Sequence, residues 1–159
     1  MRCFVCKCGK PILVDEDIYE IHCKTQWSCN EFGRVTTCYK DSSGFHAFSL
    51  ASCIIKVTSG LEIDHIDRDT HNNLRANLRL ATRSDNNCNK AIQKNNATGY
   101  KGVYYCNTLK KFQFQLRKNG KTWRGSFYTA IEAARAYDKK ALEQHGEFAF
   151  TNFPKGDYQ

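Results

Sequence analysis

Apolar and polar positions alternate without a break from Lys111 to Arg117. Phe112, Phe114 and Leu116 share one side, and Lys111, Gln113, Gln115 and Arg117 share the other. A period of two marks a half-buried strand. Asn119-Gly120 follows, a dipeptide suited to a tight hairpin, and Lys121 to Phe127 supplies the returning strand. Gly102-Val103-Tyr104-Tyr105 reads as a strand ahead of them. Beyond Thr129, a natural N-cap, Ile131, Ala134, Ala141 and nearby small residues form an apolar stripe at helical spacing. Three antiparallel strands and one amphipathic helix are therefore predicted from Tyr100 to Pro154, with a cationic, amide-rich outer face.

Residues 1 to 60 read as short strands and turns. The candidate strands are Pro11 to Val14, Arg34 to Tyr39 and Phe48 to Val57, with a turn at Asp41-Ser42-Ser43-Gly44 and a helix start or turn at Asp15-Glu16-Asp17. Leu61-Glu62-Ile63 leads as a strand into Asp64-His65. A polar loop then runs from Asp67 to Asn73, and Leu78 to Ala81 forms a second strand. Thr82 is placed to cap a helix over about Arg83 to Gln93. Ala97-Thr98-Gly99 reads as a linker or strand lead-in.

Charge divides the chain. The net charge is +8 over 159 residues. Residues 1 to 92 carry 12 basic and 11 acidic side chains, a balance of +1, whereas residues 93 to 159 carry 12 and 5, a balance of +7. Between Lys94 and Arg124 there are eight basic residues and no acidic one. Aromatics interleaved with such a run point to a polyanion partner, nucleic acid above all.

Nine cysteines, an odd number, stand in a chain whose start has no apolar core of signal-peptide length, and no apolar stretch approaches membrane-spanning length. That combination predicts an intracellular, reducing setting with free thiols or a bound metal, and no membrane partner. Cys6-Lys7-Cys8-Gly9 has the shape of a zinc knuckle. Cys3, Cys6, Cys8 and Cys23 form the candidate structural zinc set, with Cys29 and Cys38 also able to complete a tetrahedron. The irregular spacing, without a second Cys-x-x-Cys pair, tips the expectation toward free thiols. His22 and His46 are read as packing or surface residues.

The densest chemistry lies in the 23 residues from Asp64 to Asn86, where Asp64-His65-Ile66-Asp67, Asn72-Asn73-Leu74, Asn77-Leu78-Arg79, Thr82 and Asn86 recur. Each residue type is ordinary in turns and caps; together they resemble the HNH nuclease motif in its His-Asn-Asn form, found in phage and intron-encoded homing endonucleases. The resemblance implies a ββα-metal unit within an α+β protein. It implies His65 as general base, Asp64 and Asn86 as metal ligands, and Asn77 orienting His65 through the loop backbone. The residue types suit the reaction. Histidine titrates near neutrality and can activate water, and oxygen ligands suit Mg²⁺ or Mn²⁺. Asn89 is a weaker candidate for a phosphate contact, balanced against a solvated helix face.

Tyr100-Lys101-Gly102-Val103, Trp123, Gly125-Ser126-Phe127, Ala133-Ala134, Ala136-Tyr137-Asp138 and Asn152-Phe153 resemble the plant APETALA2/ethylene-response-factor DNA-binding domain. That family lays its sheet in the major groove. By position, Lys101, Tyr104, Gln115, Arg117, Lys121, Trp123 and Tyr137 inherit contact roles, and the outer-face alternation adds Gln113. Tyr104 and Arg124 depart from the family pattern. A two-residue Asn119-Gly120 loop places Arg124 beside Gln115 and sends Trp123 to the core. A three-residue loop with a glycine bulge reverses both. The family resemblance tips the expectation to the second.

The predicted organisation is a β-rich extension (1–45), an HNH module (46–93) and an APETALA2-like domain (97–156). The expected activity is metal-dependent cleavage of double-stranded DNA by a monomer of homing-endonuclease type, without a small-molecule cofactor. A DNA-binding regulator with an inactive nuclease module and a non-specific defensive or packaging nuclease are the alternatives.

Overall fold

The computed structural model describes residues 2–93 and 95–158. Lys94, which opens the acid-free basic stretch, lies outside the described residues, as do Met1 and Gln159. The chain folds as two compact units, Met1–Thr82 and Arg83–Gln159. Among the described residues no helix is long and apolar enough to cross a membrane.

The amino-terminal unit starts with an antiparallel hairpin of β1 (Arg2–Val5) and β2 (Pro11–Val14), followed by helix α1 (Glu16–His22). β3 (Ser28–Cys29), β4 (Val35–Asp41) and β5 (Gly44–Ser49) form a small antiparallel sheet in that order. Asp41 pairs with Gly44, so the predicted Asp41–Gly44 turn is present. Helix α2 (Leu50–Ile54) comes next, then the antiparallel hairpin of β6 (Glu62–His65) and β7 (Leu78–Ala81). Strand residues Phe4, Ile12, Val14 and Val35, with Leu50 from α2, close around Trp27 and Cys6 to form the core.

The strand expected over Phe48 to Val57 is incorrect beyond Ser49. Ser49 is an N-cap whose hydroxyl accepts from the Ser52 amide at 3.2 Å, and Leu50 and Ala51 are buried at the head of a helix. A short apolar run suits either state, and here the cap decides.

The carboxy-terminal unit begins with helix α3 (Arg83–Asn89). This helix stops short of the Gln93 predicted for it, in keeping with a run of Ser, Asp and Asn whose side chains compete with the helical backbone. β8 (Val103–Cys106), β9 (Lys111–Lys118) and β10 (Lys121–Phe127) form an antiparallel sheet with β9 in the centre, and helix α4 (Ala130–His145) packs on it. Thr129 and Glu132 cap α4 reciprocally in a capping box. The predicted apolar stripe holds at Ala134 and Ala141 but not at Ile131. Ile131 is 50% exposed, and Ala133, Ala134, Tyr137 and Ala141 face the sheet core of Val103, Phe114 and Leu116. The Asp138 carboxylate is buried and accepts from the Asn152 and Phe153 amides and the Tyr158 hydroxyl, which fastens the chain end to α4.

Lys118 pairs with Lys121 across a two-residue turn in which Asn119 and Gly120 have φ of +49° and +77°. This is the positive-φ geometry of a type I′ hairpin. Trp123 therefore faces Leu116 and joins the core, and Arg124 faces Gln115. The three-residue register favoured from the family pattern is not the one formed.

Candidate active site

β6 and β7 pair with Asp64 opposite Arg79 and His65 opposite Leu78. Successive residues of a strand point to opposite faces, so Asp64 and His65 diverge. Asp64 is 5% exposed, and its Oδ2 accepts from Arg79 Nε at 2.9 Å and lies 2.8 Å from a terminal guanidinium nitrogen. A buried carboxylate needs such a partner. His65 lines a small cleft with Arg34, Ser49, Ile63, Thr70 and Asn73. Burial lowers the His65 pKa below the ordinary histidine value, and Arg34 adds to that. The Asn73 contact and the carboxylates of Asp67 and Asp64 oppose it.

The polar loop is held by its own side chains. Asn77 accepts from the Asp67 amide at 3.1 Å, and its Nδ2 donates to Asp67 Oδ1 at 2.8 Å and to the Asn72 carbonyl at 2.7 Å. The Asn77 carbonyl accepts from the Ile66 amide at 2.9 Å. Asn77 thus grips the backbone on both sides of the loop that follows His65. Asn73 is 1% exposed, donates to the Thr70 carbonyl at 3.0 Å, and brings its Oδ1 to 3.4 Å from His65 Nε2. Neither Asn73 nor Arg79 was assigned a role from the sequence. Arg79 was readable as the residue opposite Asp64 once the hairpin register was set; Asn73 needed the loop path. Arg34 had no sequence signal, because it reaches the cleft from a different strand hairpin.

Asn86 sits half-buried in the first turn of α3, within the carboxy-terminal unit. Asn89 is buried, so the solvated-face alternative for it fails. Other sequence-predicted contact residues divide by face. Tyr104, Gln113, Gln115 and Arg117 share the outer face of β8 and β9 with Arg124 and Ser126. Tyr104 donates to Gln113 Oε1 at 2.8 Å, Gln113 donates to Ser126 Oγ at 2.8 Å, and Arg124 donates to Gln115 Oε1 at 3.3 Å. Gln115, Arg117 and Arg124 are exposed. Lys121 is exposed at the turn but has the parity of Trp123.

Three assignments move off this face. Trp123 packs inward beneath Lys140, whose ammonium lies 5.9 Å from its ring centre. Tyr137 is 3% exposed, and burial raises its phenol pKa above the ordinary value. Its ring lies against Gly102, where an added Cβ would stand 2.1 Å from it. Lys101 donates to the carbonyls of Cys88 and Lys90, at the carboxy-terminal end of α3 where a cation is favourable. Lys118, by parity also inward, pairs with Asp85 at 3.1 Å and donates to the Gln144 carbonyl at 2.6 Å.

The thiols also rearrange relative to expectation. Cys6, Cys8 and Cys29 gather with His71, and all four donor atoms lie within 4.8 Å of one another. Cys3 is exposed on β1, and Cys23 donates to the Glu20 carbonyl, so neither belongs to the cluster. The Lys10 amide, the neighbouring thiols and His71 draw the Cys8 pKa down to about 6, whereas burial and the two other sulfurs push Cys29 up to about 12. One thiolate is accommodated and a second beside it is resisted, the condition that a cation relieves.

The HNH endonuclease family model matches residues 56–88, the segment that carries the β6–β7 hairpin and most of α3. An uncharacterised HNH endonuclease of Acanthamoeba polyphaga mimivirus is 32% identical over 146 residues, 91% of this chain and 75% of the relative. This chain belongs to the HNH endonuclease family. Protein 3.8 of Escherichia phage T7 is 29% identical over 93 residues, 58% of this chain and 77% of that protein. No solved structure matches. As a member of this family, the protein is an endonuclease.

Proposed function

We propose that this HNH endonuclease cuts double-stranded DNA with His65 as general base. The carrying observation is the setting of His65 on β6: half-buried, contacted by Asn73, and flanked by a loop that Asn77 clamps. An imidazole with a depressed pKa is neutral near pH 7 and able to take a proton from water. Asn77 and Asn73 act as positioning residues. Arg34, in the same cleft, supplies positive charge for the scissile phosphate.

Asp64 is the residue of the amino-terminal unit that would hold a divalent cation, whose charge offsets that of the phosphate and the leaving oxygen when bound. Its carboxylate oxygens fit a hard ion such as Mg²⁺ or Mn²⁺. Arg79 fixes the orientation of Asp64 from the opposite strand.

The homing-type reading rests on the second unit. Its outer sheet face, with Arg117, Arg124 and Gln115 exposed, supports an APETALA2-like role in which the sheet reads the major groove. The other reading, a DNA-binding regulator with an inactive nuclease module, is favoured by the Asp64–Arg79 pair, since the guanidinium already satisfies part of the carboxylate that a metal needs. Conversion of supercoiled plasmid with and without Mg²⁺, beside His65→Ala, separates them. Cleavage that requires Mg²⁺ and His65 supports the nuclease; absence of cleavage with DNA binding intact supports the regulator.

A further inference from the structure

The cysteine–histidine cluster uses none of the residues proposed for the catalytic cation, and its donors are of a different kind. We propose that Cys6, Cys8, Cys29 and His71 hold a structural zinc ion that fastens the nuclease loop to the amino-terminal hairpin. The four donors come from three separated segments: the β1–β2 turn, strand β3 and the polar loop after β6. Cys29 Sγ lies 3.1 Å from Cys6 Sγ, 3.4 Å from Cys8 Sγ and 3.2 Å from His71 Nε2. Zinc bonds of about 2.3 Å to sulfur and about 2.0 Å to nitrogen set tetrahedral donor–donor edges of about 3.5–3.8 Å. The three edges at Cys29 need to lengthen by about 0.3–0.7 Å to seat the ion, and the remaining donor pairs lie within 4.8 Å. A disulfide needs sulfurs about 2.05 Å apart and would use only two of the four groups.

The surroundings are built for this. Gly9 donates to the Cys6 carbonyl at 2.8 Å and Cys6 donates to the Lys10 carbonyl at 2.9 Å, closing the tight turn that carries both thiols. Cys6 is 2% exposed and belongs to the core around Trp27. Three sulfurs and one imidazole select zinc over magnesium, and four protein ligands leave no open position, as in structural sites.

The ion's effect on the enzyme rests on the nuclease reading above. His71 lies two residues before Asn73, whose carboxamide contacts His65. The backbone of Leu13 bridges the same segment, donating to the His71 carbonyl at 2.9 Å and accepting from the Asn73 amide at 2.8 Å. Zinc at His71 locks that bridge and, through it, the position of Asn73.

The test uses the full chain. Metal analysis should find one zinc per chain, and Co²⁺ substitution should give a thiolate charge-transfer band. Cys29→Ser should reduce the zinc content to less than about a tenth, while His71→Cys, which preserves a four-ligand set, should keep it. Cys3→Ser and Cys23→Ser should leave it unchanged. Stripping the zinc from wild-type protein should speed hydrogen exchange at the Leu13 and Asn73 amides by at least about tenfold. His65→Ala should keep both the zinc and the protection. Wild-type protein with no zinc and no cobalt–thiolate band overturns the proposal, as does full zinc retention in Cys29→Ser or unchanged exchange after stripping. A zinc-loaded, protected protein that fails to cut DNA upholds the site and fails the nuclease reading; a zinc-free protein that cuts does the reverse.

Discussion

The two units of this chain are held together by different means. The carboxy-terminal unit has a regular sheet, a sixteen-residue helix with a capping box, and a core of Phe, Leu, Val and Ala. The amino-terminal unit relies on short strands, and its loop from Ile66 to Asn77 is fixed by side chains of Asp67, Asp69, Asn72 and Asn77 bonding to nearby backbone and to one another. The loop is also tied to distant sequence by polar groups: Arg75 donates to Asp15 and pairs with Asp17 at the start of α1. A sheet with a periodic pattern tolerates change at any one exposed position. A loop held by specific carboxamides does not, because each bond has a unique donor and acceptor. His65, the proposed general base, stands on β6 directly before the second kind of structure, where position is set atom by atom.

The sharpest way to separate the units is to disable the chemistry without disturbing either fold. His65→Ala should reduce cleavage by about 10²–10⁴-fold. Affinity for duplex DNA should stay within about twofold if the carboxy-terminal unit supplies it. Plasmid nicking and fluorescence anisotropy measure the two. Equal loss of binding and cleavage would merge the roles assigned to the two units.

Gly102→Ala strikes the other unit. The new methyl would meet the Tyr137 ring 2.1 Å away, at a residue whose φ is +71°. Overpacking and a left-handed non-glycine residue should together cost about 2–4 kcal/mol. Thermal unfolding followed by tryptophan emission should show it, with Trp123 in the affected core and Trp27 in the other unit. A variant with only Phe in place of Trp27 isolates the signal. Wild-type stability in Gly102→Ala would mean that the Tyr137 ring can yield.

The same contrast explains how far the sequence could be read. Alternation over Lys111 to Arg117 and the Asn119-Gly120 turn set β9, β10 and their hairpin nearly to the residue, because period and turn chemistry are local. The register was misjudged only where a family pattern outweighed that local signal, and Trp123 went to the wrong face with it. Asp64, His65 and Asn77 stood out through their joint spacing. Asn73 and Arg79 stood in the same motif without a role, and Arg34 outside it, since their significance lies in which atoms they meet across a hairpin or cleft. The cysteines show the same limit. Cys6 and Cys8, two residues apart, were legible as a knuckle and Cys29 as one of several thiols able to complete it, whereas the fold alone selects Cys29 and adds His71, over sequence separations of 21 and 42 residues between contacting donors.

Arg117→Ala tests whether the regular unit reads bases or only holds phosphates. Arg117 is exposed on the outer face beside Thr122, its cross-strand neighbour. Bidentate contact to a purine edge predicts a loss of about 1–3 kcal/mol on a selected target and relaxed preference at one base pair. Lys121→Ala, at the exposed turn, should weaken selected and random duplexes alike and lower the salt slope by about 0.9. Lys118, tied to Asp85 and Gln144, is unsuitable for this comparison. Equal losses for Arg117→Ala on both duplexes would make the sheet a phosphate clamp.

The smallest effect is a displacement of a pH profile, and it bears on the histidine alone. Burial depresses the His65 pKa, so the base is neutral and competent down to a lower pH than a free histidine would be. Cleavage under kcat/KM conditions should therefore rise with pH and level off with a midpoint below about 6.5, the ordinary histidine value. The same depression has a consequence for folding. The unfolded chain binds the proton more readily, so this contribution to stability is present above about pH 6.5 and is lost as pH falls toward the folded-state pKa. Asn73→Ala removes a contact that favours the protonated ring and leaves burial opposed only by the carboxylates of Asp67 and Asp64. The limb should then shift further down if the cleft stays closed to water, alongside a lower plateau rate from looser positioning. Binding through Arg117 and Arg124 should be flat across the same window, since guanidinium stays charged throughout. A wild-type midpoint at or above the ordinary histidine value, or binding that follows the same limb as cleavage, would place the titrating group outside the His65 cleft.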